Sequence, residues 1–103
     1  MDRIEIETPL LMWTGESGAR AGMVRITGEA AEAIRVAALT GQWLDPRKSR
    51  KSAKVMAEIG ETRWKNSVFP DEESGGWVMP VNQSTRVAEG LEEGDLVRLT
   101  IEI

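Results

Sequence analysis

The residues from Val97 to Ile103 alternate without a break: Val97, Leu99, Ile101 and Ile103 are apolar, and Arg98, Thr100 and Glu102 between them are polar. A period of two places the two sets on opposite faces of a strand, so the segment predicts one face against a core and the other in water. The same pattern marks Arg3-Ile4-Glu5-Ile6-Glu7, where Ile4 and Ile6 are expected inward, and Met23-Val24-Arg25-Ile26. The turn formers of residues 14–18 are expected to join these two segments as an antiparallel hairpin. Val55, Ala57 and Ile59 alternate in turn, and Gly60-Glu61 supplies a two-residue turn to a returning strand over residues 62–69, the clearest hairpin in the chain. A polar loop over residues 70–76 leads to a strand at 77–81. Six or so strands joined mostly by tight turns predict a mainly β fold: a small antiparallel sheet closed or nearly closed into a barrel.

Two stretches change period. Over residues 29–39, Ala30, Ala33, Ile34, Ala37 and Ala38 follow helical spacing, with Thr27 placed to cap the start and Gly41 to end the helix. A shorter helix follows Asn82, its expected cap, with Val87 and Ala88 as its apolar side and Gly90 as the left-handed residue that ends it. Residues 42–52 read as an exposed, flexible connection. The 103 residues suit one domain spanning 1–103, which buries roughly 65% of its unfolded surface.

Charge is unevenly spread. Residues 1–46 carry seven acids against four bases, and residues 55–103 ten against four, within a net charge of −4. Between them Arg47, Lys48, Arg50, Lys51 and Lys54 form a basic run, a candidate contact for a partner. The chain has no cysteine, histidine or tyrosine, which removes the thiolate, the neutral-pH proton shuttle and the phenol acid. Cysteine usage suits a reducing compartment, with the cytoplasm expected, and no stretch approaches the ~18 apolar residues of a membrane span. Ser67 and Ser74 lack a histidine base, and Ser49 and Ser52 lie beside lysines in an irregular segment, so solvated residues are the better account than a serine–lysine pair. Asp71, Glu72 and Glu73 read as an acidic turn, lacking the spaced pattern of a calcium loop. No metal or cofactor is expected. Of the four tryptophans, Trp64 and Trp77 are expected in the core as cross-strand neighbours, while Trp13 and Trp43 are the candidates for an exposed contact.

Three blocks carry a resemblance: residues 59–70 (IGETRWKNSVFP), 75–82 (GGWVMPVN) and 86–95 (RVAEGLEEGD). In order and spacing they resemble the bacterial family known as domain of unknown function 1905, and the likeness extends more weakly over the N-terminal segments, where family members commonly have a proline and this chain has Thr27. The resemblance implies a double-split β-barrel, an architecture shared with swapped-hairpin DNA-binding domains of bacterial regulators and antitoxins, and it implies no activity. Arg63, Lys65, Asn82 and Arg86 lie in these blocks and are the candidate surface for a small anion, although solvated strand and helix faces are the better account of the charges. The expected function is a non-enzymatic binding or accessory module with a protein or small anionic partner. A nucleic-acid regulator by fold analogy, and a small-molecule protein or enzyme using the barrel mouth, are the alternatives. Duplex DNA is not expected to bind at physiological salt, because the domain is acidic.

Overall fold

The computed structural model describes residues 3–44 and 53–103. The elements run β1 (Arg3–Pro9), β2 (Leu11–Thr14), β3 (Arg20–Ile26), α1 (Gly28–Leu44), β4 (Ala53–Ile59), β5 (Thr62–Pro70), β6 (Trp77–Val81), α2 (Gln83–Glu89) and β7 (Leu96–Glu102). All strand pairs are antiparallel, in the order β1-β7-β4-β5-β6-β3-β2. The outermost strands, β1 and β2, are separated in sequence only by Leu10. A sheet whose two edges are joined by one residue must curl, and it forms a curled half-barrel.

Leu10 fastens that seam. Its N–H donates to the Asp95 carbonyl and its carbonyl accepts from the Gly94 N–H, both at 2.8 Å, and its side chain is fully buried. The Thr8 hydroxyl donates to the Arg25 carbonyl at 2.9 Å and draws β1 against β3. The expected hairpin of residues 3–7 with 23–26 is therefore corrected. The turn is present, closed by Gly15 N–H to the Ala19 carbonyl, but it joins β2 to β3, and β1 pairs with β7 from Arg3↔Glu102 to Pro9↔Leu96. Pro9 has no N–H to give a second neighbour, which suits an edge strand, and the bend at Leu10 hands the chain from one edge of the sheet to the other.

The concave face carries the core. Val24, Ile26, Val55, Ala57, Ile59, Val68, Met79, Val97, Leu99 and Ile101 are buried as their alternation predicts, with Ile4, Ile6 and Ile103 half-buried beside them. α1 adds Ala30, Ala31 and Ile34, and the buried Trp77 indole N–H donates to the Ala31 carbonyl at 3.1 Å. At 17 residues α1 is longer than expected: it runs through Gly41 to Leu44. An interior glycine costs a helix only ~1 kcal/mol against alanine, too little to stop it. Thr27 makes no capping bond among the described residues; Gly28, at φ 67°, turns the chain from β3 into the helix.

The sheet is split between β5 and β6. β5 pairs with β4 over seven residues but meets β6 only at Phe69↔Val78 and Pro70↔Trp77. Where that ladder stops, the Asn66 side-chain amide donates to the Pro80 carbonyl at 2.7 Å and bridges the gap. The split also separates the two tryptophans expected to touch, since Trp64 lies opposite Ala57 and Trp77 opposite Pro70 and Ile26. α2 is capped by Asn82, whose side chain accepts from Thr85 N–H at 2.7 Å, and ended by Gly90 at φ 63°. Its expected apolar side is corrected: Val87 and Ala88 are exposed and Thr85 is the buried residue, because polar contacts hold this helix in place.

Candidate functional site

The two-residue turn of the β4–β5 hairpin determines what shares its outer face. Gly60 takes φ 57°, which an L side chain rarely adopts, and the Glu89 carboxylate lies against the space a Cβ would fill. Glu89 also accepts from the Thr62 hydroxyl at 2.8 Å, so α2 clamps the turn. The register that follows pairs Ile59 with Thr62, Met56 with Lys65 and Lys54 with Ser67. Since Val55, Ala57 and Ile59 point inward, Lys54, Met56, Arg63, Lys65 and Ser67 share the outer wall.

Lys54, Met56, Lys65, Ser67 and Glu102 line a groove of about 610 Å³ on that wall. The Lys54 ammonium donates to Ser67 Oγ at 3.0 Å. Glu102 is fully engaged, by Arg3 at 3.2 Å and Arg63 at 2.7 Å, and Arg3 also reaches Glu58 at 3.3 Å. Neither Lys54 nor Lys65 has a carboxylate within ion-pair distance among the described residues. With its oxygen accepting from Lys54, the Ser67 hydroxyl has its own proton free to donate elsewhere. The groove thus presents two ammonium groups and a hydroxyl donor over the Met56 side chain, a donor set matched to a carboxylate or phosphate group.

The expected quartet is not assembled. Arg63 and Lys65 stand on the outer wall, with Arg63 committed to Glu102. Asn82 and Arg86 lie elsewhere: Asn82 caps α2, and the Arg86 guanidinium donates to the Val81 carbonyl at 2.9 Å while lying across Gly22, where a Cβ would come within 2.7 Å of it. Both are spent on the fold. Of the basic run, Lys54 joins the groove, whereas Arg47, Lys48, Arg50 and Lys51 lie outside the described residues, as do Ser49, Ser52 and the Trp43 side chain. Ser67 and Met56 were missed as site residues, although counting outward from Gly60-Glu61 places them opposite Lys54 and Lys65.

The acidic turn is a separate feature. Asp71 accepts from the Ser74 hydroxyl at 2.6 Å and pairs with Arg25 at 3.0 Å, while Glu73 meets the same guanidinium at 2.6 Å. The Ser74 hydrogen bond, followed by the Arg25 charge, holds the Asp71 carboxyl below its ordinary range. Among the described residues no three carboxylates group as metal ligands, and no helix is long and apolar enough to cross a membrane. Trp13, on edge strand β2, is 64% exposed, as the sequence suggested.

Fold and groove together define a small, mainly β half-barrel carrying a ligand-sized cleft on its outer wall. The family model described as a domain of unknown function (DUF1905) matches residues 7–101, and the chain belongs to that family. No curated protein and no solved structure matches it.

Proposed function

We propose that this protein is a non-enzymatic binding module that takes a small carboxylate- or phosphate-bearing anion in the Lys54–Lys65 groove. The observation that carries the reading is the pair of lysines flanking Ser67 with no carboxylate partner of their own among the described residues, next to an acid already neutralised by two arginines. The Lys54–Ser67 contact also favours binding over catalysis. An exposed ammonium donating to a hydroxyl oxygen holds that serine as a donor and offers it no base. A wall of this size holds one small anion; the tracked, uncompensated basic face that duplex DNA needs is not what the described residues present. The cysteine-free composition supports a cytoplasmic setting.

Two or three charge-assisted contacts at an open groove correspond to a dissociation constant on the order of 1 mM. Titrating the ¹⁵N-labelled protein with inorganic phosphate at constant ionic strength is expected to shift the amides of residues 54–56 and 65–67 saturably, and Lys65→Ala is expected to abolish the effect. Shifts scattered over every exposed lysine and arginine, unchanged by Lys65→Ala, would overturn the reading. A parallel salt titration against random-sequence duplex is expected to show no micromolar binding at about 0.15 M salt.

A further inference from the structure

On the far side of the split, the outer wall carries a second groove of opposite character. It encloses about 490 Å³. Leu11, Met23 and Val78 form its floor and the exposed Trp13 its flank, because residues 11, 13 and 23 share the outer face of β2 and β3. Its rim is Asp71, Glu72 and Glu73 against a single guanidinium, Arg25. Arg25 is shared by Asp71 and Glu73, and Glu72 has no ion-pair partner among the described residues. The groove is therefore apolar below and negatively charged at its edge, with an aromatic face turned to solvent.

The groove adjoins an unfinished sheet edge. β2 ends the strand order and, among the described residues, pairs only with β3. Leu10 turns its N–H and carbonyl away from β3, toward Asp95 and Gly94. In an antiparallel ladder the outward groups recur every second residue, so the next outward pairs are those of Met12 and Thr14, and no described strand takes them. Such an edge is a template for an added strand.

We propose that this surface docks an extended, basic-apolar segment of a partner protein, which adds as a short strand along Met12–Thr14, rests an apolar side chain on Trp13 and brings a lysine or arginine to Glu72 and Glu73. Charge complementarity selects the occupant. Three carboxylates against one guanidinium repel an acidic segment, and they oppose the same surface of a second copy of this chain, whose net charge is −4. The apolar floor excludes a purely polar cation. A free edge of four residues gives few main-chain bonds, so the side-chain anchors must supply most of the affinity.

The test uses the full ¹⁵N-labelled protein and three capped hexapeptides: Lys-Val-Lys-Phe-Lys-Val, its counterpart with glutamate at every lysine, and a third with serine at every apolar position. The first is expected to shift the Trp13 indole signal and the Met12 and Thr14 amides saturably, leaving the buried Trp77 indole in place. Glu72→Gln with Glu73→Gln is expected to weaken that binding about tenfold at low salt, and Trp13→Ser to weaken it further while the Trp77 signal confirms an intact fold. Equal binding of the glutamate or serine peptide, or no shift at millimolar peptide, overturns the proposal. Trp13 shifts that depend on protein concentration without any peptide overturn it too, in favour of a second copy. None of these readouts involves Lys54 or Lys65, so the outcome is independent of the anion site.

Discussion

The polar side chains at the β5–β6 split and those on the outer wall of β4–β5 are chemically alike and used in opposite ways. At the split, Asn66, Arg86 and Glu89 each meet a particular group: the Pro80 carbonyl, the Val81 carbonyl and the Thr62 hydroxyl at the Gly60 turn. On the outer wall Lys65 has no hydrogen-bond or ion-pair partner among the described residues, and Lys54 donates only to a hydroxyl. A splayed ladder leaves backbone groups that must find partners, so side chains near it are recruited into the fold. A complete ladder satisfies its own backbone, so its outer side chains either pair with one another, as Arg63 does with Glu102, or stay open, as Lys65 does among the described residues. Position relative to the split, more than residue type, separates structural from ligand-facing charge.

Substitutions can break or sharpen that contrast. The largest effect is expected from Trp64→Ala, whose half-buried ring packs on the core beside the split: about 3 kcal/mol of stability lost, the lower end for a tryptophan truncation, read by chemical denaturation. Arg86→Ala, which strips the Val81 carbonyl of its partner and opens space over Gly22, is expected to cost about 1–3 kcal/mol in the same measurement. Arg63→Ala, on the exposed wall, is expected to cost no more than about 1 kcal/mol, and Lys65→Ala to stay within about 0.5 kcal/mol while removing phosphate binding. An outer-wall variant that destabilises more than Arg86→Ala would erase the distinction. The smallest effect is electrostatic. Ser74→Ala removes the bond that does most to lower Asp71, so its carboxyl resonance should titrate at higher pH than in the parent. Because the folded value is depressed, any stability from Asp71 is present above the unfolded carboxylate range and lost as the pH falls through the folded value.

Features written in neighbouring residues were legible in the sequence. The apolar face of β7, the β4–β5 hairpin, the Asn82 cap and the Gly90 terminus all follow from local period and turn chemistry, and each is present, whereas Thr100, expected on the wet face of β7, is buried. The partner of β1 was hidden because its alternation fits any neighbour, and the choice of β7 depends on contacts made 99 residues away. The exposure of Val87 was hidden because a seven-residue helix held by polar contacts buries no apolar stripe. At the groove, Lys65 was legible as a family-block residue and Lys54 as part of the basic run, but only the register joins them through Ser67. Grouping Lys65 with Arg86 failed because sequence proximity of the blocks does not reveal which side of the sheet α2 occupies.

The place of β7 between β1 and β4 bears on how the protein is made. Of the seven described strands it is the last to be made, yet it is the one that β1, the first of them, pairs with. The β2–β3 and β4–β5 hairpins have their partners at hand as they emerge, while β1 waits until the other five described strands have been made. A strand left open for that long can recruit its counterpart on a neighbouring nascent chain. The charges at its two ends match those of the closing strand, Arg3 meeting Glu102 and Glu7 meeting Arg98, and so favour β7 over an unrelated edge.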